Sequence, residues 1–271
     1  MGTSGAYGGS GAKPWEDVHD AYGAAGEAGG AGGSDGPGPS DEKVEDFVNA
    51  LMNALARAAG PAPGLSGYPL SSLRPRRSGG AGGGGGSGGG SSSSGGGGRS
   101  FGRQTARGAA GVAGASALRN GDRAALAELG LDLAHLDSLP SSRARCAYIV
   151  DTLLGAPSHP DEVALRAATL RTMVEILKAK EPPTQAQEMR LFLQNLVYEQ
   201  VLVELTSQQR TENLTPQRAK EIEVKAKKYL RTSVSKIKLP KTARMSAQAF
   251  VNAAATLADK VFAVFKIRGA R

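Results

Sequence analysis

The sequence predicts an all-α protein: a compact multi-helix C-terminal domain preceded by a long, largely disordered, Gly-rich N-terminal region that holds one isolated amphipathic helix. Three observations carry this reading. Nearly all of the 38 glycines lie before residue 131, several in unbroken runs between Gly79 and Gly98. Glycine loses the most backbone entropy on ordering and offers no side chain to offset the loss. From about Gly121 onward apolar residues recur at helical spacing, and no segment sustains the alternation of a strand. A stretch the length of 121–271 suits an independent domain, which hides roughly two-thirds of its unfolded surface.

Residues 1–39 read as a disordered acidic tail. Within it, Pro14-Trp15-Glu16-Asp17-Val18-His19-Asp20-Ala21-Tyr22 holds the only tryptophan. Such an aromatic–acidic cluster is either a short docking motif or plain solubilising sequence. The start, Met1-Gly2-Thr3-Ser4-Gly5-Ala6, departs from an N-myristoylation signal at Ala6, where Ser or Thr is wanted.

Residues 40–60 are expected to form an amphipathic docking helix. Ser40 suits the N-cap, Asp41 and Glu42 complement the positive helix end, and Gly60-Pro61 is a stop signal. Val44, Phe47, Val48, Leu51 and Leu55 share one face. Between disordered flanks that face must dock on the C-terminal domain, self-associate, or fill a groove on another protein.

Residues 61–120 read as a Gly/Ser/Arg-rich flexible linker. Arg74-Pro75-Arg76-Arg77-Ser78 opens it, and Arg99, Arg103, Arg107 and Arg119 recur through its end. Spaced arginines among Gly and Ser are similar to disordered basic segments that bind RNA without sequence preference, although Arg-Gly-Gly repeats are absent. Arg76-Arg77-Ser78 also suits a basophilic kinase, and the same arginines form a proprotein-convertase site that matters only in the secretory pathway.

The region 121–271 reads as successive helices. A short one runs over Asp122–Leu129 and stops at Gly130. The next spans about Ser141–Leu154, with Cys146, Ile149, Val150 and Leu153 inward and Gly155 as its stop. Ser158-His159-Pro160-Asp161 opens a third, N-capped with an acid three residues on. Thr184 and Gln187 stand in capping-box spacing before a fourth that is apolar almost all round, the mark of a central helix. Thr215-Pro216 starts a fifth, and the last covers about Ser246–Ile267.

Charge is segregated along the chain. Residues 1–73 carry nine acids and three bases, 74–120 seven arginines and no acid, 121–211 twelve acids and nine bases, and 212–271 four acids and fourteen bases. Asymmetry of this kind points to a polyanion partner or to segments that screen one another. On the fifth helix Lys220, Lys227 and Arg231 fall within about 40° of one another at 100° per residue, with Lys228 beside them. Lys236, Lys238, Lys241 and Arg244 extend the charge into the next loop, and no acid intervenes between Glu223 and Asp259. Such a face tracks a phosphate backbone by charge neutralisation and counterion release. Tyr229 points inward, so base stacking is not expected, and contacts should be largely independent of sequence.

Nothing in the sequence assembles catalysis. His19, His135 and His159 are scattered, none with a second His or a Cys at ligand spacing. Cys146 is the only cysteine, which excludes an internal disulfide, and it sits on an apolar helix face as a small buried side chain. The glycine runs lack the Gly-Lys-Ser/Thr ending of a phosphate loop. There is no apolar leader and no run of about 18 apolar residues, so an intracellular, cytoplasmic or nuclear protein without membrane contact is expected.

Two functional expectations follow. The first is a non-enzymatic RNA-associated structural or adaptor protein, cellular or viral. It contacts phosphates non-specifically through Lys220, Lys227, Lys228, Arg231, Lys236, Lys238, Lys241 and Arg244, with Arg99, Arg103 and Arg107 of the linker. The second is a protein-interaction scaffold that engages partners through Trp15, Val44, Phe47, Val48, Leu51 and Leu55, its basic face meeting an acidic partner. A homo-oligomer is compatible with both, and neither needs a cofactor or a metal.

Overall fold

The computed structural model describes residues 13–27, 39–58, 69–73, 101–211, 215–237 and 245–268. Within them the chain forms helices α1 (Lys13–Glu27), α2 (Asp41–Ala58), α3 (Leu70–Leu73), α4 (Phe101–Arg119), α5 (Arg123–Glu128), α6 (Leu133–Ser138), α7 (Ser142–Leu154), α8 (Pro160–Lys178), α9 (Gln185–Thr211), α10 (Pro216–Ser235) and α11 (Ala247–Arg268). Among the described residues there is no strand, as the sequence predicts.

Helix α4 organises the packing. It is built from four glycines and six alanines among larger residues, and every residue from Gln104 to Leu118 is buried. Its neighbours are α11 and α8, then α7, α5 and α9. Gly108, Gly111 and Gly114 let these helices come close. A Cβ built on Gly108 would lie 2.5 Å from the Phe192 ring of α9, and one on Gly111 would lie 2.6 Å from Thr169 Cγ2 of α8. Helix α11 answers with its own small residues, Ala247, Ala254, Ala255 and Ala258, set among Phe250, Val251 and Leu257. Glycine costs a helix interior about 1 kcal/mol each relative to Ala, so tertiary packing and not propensity holds this helix.

This corrects the expected linker. Of residues 61–120, the part 101–119 is the buried centre of the fold and Leu70–Leu73 is a short helix against it. The expected domain start at 121 therefore omits its central helix. Small side chains suit a crowded helix crossing as well as they suit a flexible tether, and composition alone does not separate the two.

The N-terminal expectations change as well. Part of the expected tail, Lys13–Glu27, is helical, and the 40–60 helix is not isolated. Helices α1 and α2 pair closely, and α2 also packs on α11 and α10. Trp15, Val18, Tyr22 and Ala25 meet Val44, Phe47, Val48 and Leu51 in one continuous core, the Tyr22 and Phe47 rings tilted with centroids 5.2 Å apart. At roughly 200 Å² per ring and about 25 cal/mol per Å², each buried aromatic contributes about 5 kcal/mol of transfer free energy before chain entropy is subtracted. Lys225 Nζ lies 2.7 Å from Asp41 Oδ1 and donates to the Pro39 carbonyl at 2.6 Å, while Tyr229 Oη donates to Asn49 Oδ1 at 3.0 Å. These bonds join the N-terminal helices to α10.

Helix ends follow local chemistry. Asp122, Ser141 and Thr215 side chains accept from Ala125, Ala144 and Arg218 N–H groups. Thr184 and Gln187 form the reciprocal box, Thr184 N donating to Gln187 Oε1 at 2.8 Å and Gln187 N to Thr184 Oγ1 at 3.3 Å. The start of α8 differs from expectation. His159 occupies the N-cap without a side-chain bond, and Glu162, not Asp161, reaches back to accept from Ser158 N and Oγ at 2.7 and 2.8 Å.

Candidate nucleic-acid interface

Thr215 and Pro216 start α10, and its apolar stripe decides which way the helix faces. Ile222, Ala226, Leu230, Ser233 and Val234 are buried, while Tyr229 packs partly buried toward α2. That orientation leaves Lys220, Lys228 and Arg231 exposed on the outer face, and Lys236 exposed at the C-cap. Among the described residues none of these four has an ion pair. From Lys220 to Lys236 the row extends about 24 Å at 1.5 Å per residue.

Lys227 belongs to a tighter arrangement beside this row. Its ammonium lies 4.5 Å from the centroid of the Tyr198 ring on α9, and the Arg171 guanidinium of α8 lies 5.4 Å from the same centroid. Arg171 also pairs with Glu199 at 2.8 Å. Tyr198 Oη donates to Glu223. Burial first, then the bond to Glu223, pushes the Tyr198 hydroxyl up to about 12, so it remains a donor. Two cations facing one ring gain quadrupole attraction, and the network ties α8, α9 and α10 together. Lys227 is thus half-buried and engaged.

The remaining expected contacts divide three ways. Arg107 is 9 % exposed; its guanidinium donates to the Leu154 carbonyl, and Nη1 lies 3.7 Å from Glu162 Oε1. It is a core cation of α4 and is withdrawn from the phosphate-contact set, because the segment expected to be a linker is a buried helix. Arg103 is exposed but donates to the Ser72 carbonyl at 3.0 Å, which anchors α3. Arg99, Lys238, Lys241 and Arg244 lie outside the described residues.

The expected partner-binding face is likewise spoken for. Trp15, Val44, Phe47, Val48 and Leu51 are each at most 2 % exposed, because the stripe expected to seek a partner packs on α1, α10 and α11 of its own chain. The Leu55 side chain lies outside the described set. Sequence reasoning missed the Lys225–Asp41 pair, whose only signal was that an acidic helix start and a basic helix occur in one chain. Lys225 and the nearby Lys228 hold the Asp41 carboxyl below the usual range.

Cys146 is buried, and desolvation pushes its thiol up to about 11, the opposite of an activated nucleophile. Among the described residues no three His, Cys, Asp or Glu side chains gather to hold a metal ion. No described helix is long and apolar enough to cross a membrane. No family model matches the chain, no curated protein matches its sequence, and no solved structure matches its fold.

Proposed function

We propose that this protein is a non-enzymatic, RNA-associated structural or adaptor protein that binds phosphate through the outer face of α10. The observation behind this reading is the row Lys220, Lys228, Arg231 and Lys236, exposed together on one rigid helix and its cap without ion-pair partners among the described residues. Lysines held on a helix whose inner face is locked in the core are placed at no cost in binding entropy beyond their own side chains. No aromatic side chain shares the outer face, so the contact is electrostatic and tolerant of sequence. The linker arginines drop out in part, since Arg107 is buried. The scaffold reading weakens with the burial of its proposed docking stripe.

The test is fluorescence anisotropy of the full-length chain with a labelled single-stranded RNA between 50 and 200 mM KCl. Three or four phosphate contacts give a log–log salt slope of about −2 to −3. The variant Lys220→Glu/Lys228→Glu/Arg231→Glu should lose binding while keeping its helical CD and unfolding midpoint. No binding by the wild type at 50 mM KCl, or equal binding by the folded variant, would sink the proposal.

A further inference from the structure

The outer face of α10 carries one side chain that phosphate binding does not explain. Val224 is 59 % exposed and, with Val163 at the start of α8, is one of two large hydrophobic side chains exposed among the described residues. A single exposed valine is ordinary on a protein surface. Its position within the basic row sets it apart. At 100° per residue Val224 lies about 40° from Lys220 and from Lys228, and about 20° from Arg231. Along the axis Lys220 stands one turn before it and Lys228 one turn after, each about 6 Å away, with Arg231 about 10 Å on. Any ligand that bridges these three cations covers Val224.

The rest of the face limits what that ligand can be. The two acids of α10 are turned to other partners: Glu221 pairs with Arg218 at 3.2 Å, and Glu223 accepts from Tyr198 Oη. The exposed neighbours of Val224 on the helix are Gln217, Lys220, Lys228, Arg231 and Thr232, all polar or cationic. One aliphatic side chain among them is too little apolar surface to seat a partner helix or to enter a bilayer, both of which need a stripe. It suffices to cover part of one flat, uncharged ring. A polyanion whose backbone alone met the row would desolvate its charge against Val224 with no hydrogen bond in return. A single-stranded nucleic acid avoids this, because its unstacked bases turn out between the phosphates and present apolar faces. A duplex does not, since its bases are stacked inside and only phosphate and sugar edges reach a short side chain. The roughly 12 Å along the axis between Lys220 and Lys228 leaves a nucleoside room between two phosphates.

We infer that Val224 packs against the face of one unpaired base while Lys220, Lys228 and Arg231 hold the phosphates on either side, so that the α10 face discriminates single-stranded from duplex RNA. This rests on the phosphate binding proposed above and adds the one contact that is not electrostatic. An aliphatic side chain has no hydrogen-bonding group with which to read a base edge, so all four bases are accepted.

The experiment is fluorescence anisotropy of the full-length chain with three labelled probes of equal length: a single-stranded RNA of mixed sequence, its annealed duplex, and the same ribose-phosphate chain without bases. Val224→Ser should weaken the single-stranded probe about fivefold, from the apolar surface still free to be buried at 59 % exposure. It should leave the duplex and abasic probes unchanged, and the salt slope with all three. Val224→Leu should keep the wild-type ratio of single-strand to duplex affinity. Both variants should keep the wild-type unfolding midpoint, because the side chain is exposed. A ratio equal in wild type and Val224→Ser overturns the inference while leaving phosphate binding in place. So does an equal loss on the abasic probe, or on poly-glutamate as competitor, which would assign the valine to any polyanion or to an acidic protein. No binding of any probe by the wild type at 50 mM KCl removes the phosphate reading and this one together.

Discussion

A Cβ built on Gly108 would lie 2.5 Å from Cζ of Phe192 and 2.8 Å from Cδ1 of Leu165. The ring of α9 therefore rests on bare backbone of α4. Gly108→Ala gains about 1 kcal/mol of helix propensity but overpacks a crossing where such insertions cost about 1–3 kcal/mol. We expect net destabilisation, read as a lower urea midpoint. Gly114→Ala is the internal contrast. Its added methyl would sit 3.2 Å from Leu131 Cδ1 and 3.3 Å from Ile149 Cγ2, a much milder approach than at Gly108, so it should cost clearly less. Equal midpoints for the two variants would mean that α4 does not pack as described.

Trp15 reports on the N-terminal helices because it is the only tryptophan and is 2 % exposed. Its emission should be blue-shifted and protected from acrylamide in the native chain. Since α1 and α2 share one core with α4 and α11, urea curves by tryptophan emission and by far-UV CD should superimpose. Phe47→Ala should lower both together, by about 3–5 kcal/mol. An early fluorescence transition with unchanged CD would instead describe a detachable arm.

Much of α5, α7 and α9 to α11 was legible because local signals there agree with the global fold. Gly130 and Gly155 adopt φ of 69° and 70° as helix stops should, and the Thr184–Gln187 and Thr215–Pro216 starts act as read. Helix α4 was not legible. Its glycines resemble in composition the runs at 79–98, although Gly108, Gly111 and Gly114 are spaced three apart with alanine between and no proline or acid nearby. That spacing was the available signal. The α2 stripe gave the helix but not its destination, since a stripe specifies that a face is buried without specifying against what. The outer face of α10 was readable from its inner one: Ile222, Ala226 and Leu230 fix where Lys220, Lys228 and Arg231 point. Arg107 was misplaced because burial of a charge depends on partners, here Glu162 and the Leu154 carbonyl, that lie 55 and 47 residues away.

Arg107 and the α10 lysines should separate cleanly in experiment. Arg107→Met keeps most of the volume but leaves the Glu162 carboxylate and the Leu154 carbonyl without their guanidinium. Removing one partner of a buried pair costs about 3–5 kcal/mol. Glu162→Gln in the same chain should return part of that loss, a coupling that a double-mutant cycle measures. Neither change should alter the RNA salt slope at temperatures where the variants are folded. A slope reduced by about one in Arg107→Met would put this side chain back on the phosphate.

Stability should fall as the solution passes from mildly acidic to neutral. Burial raises Glu188 to about 7, and burial followed by the Glu204 carboxylate raises Asp161 to about 6. Both lie above their unfolded values of 4.5 and 3.8, so in the intervening window the folded chain holds protons that the unfolded chain has released. The unfolding free energy then decreases with rising pH. The penalty develops from about pH 4 to 7 and is complete above it, on the order of a few kcal/mol for the two groups together. Glu188→Gln should flatten the upper part of this profile and Asp161→Asn the lower part, measured as urea midpoints from pH 5 to 8. A wild-type midpoint that climbs from pH 5 to 8 would show that neither carboxyl is held protonated by its surroundings.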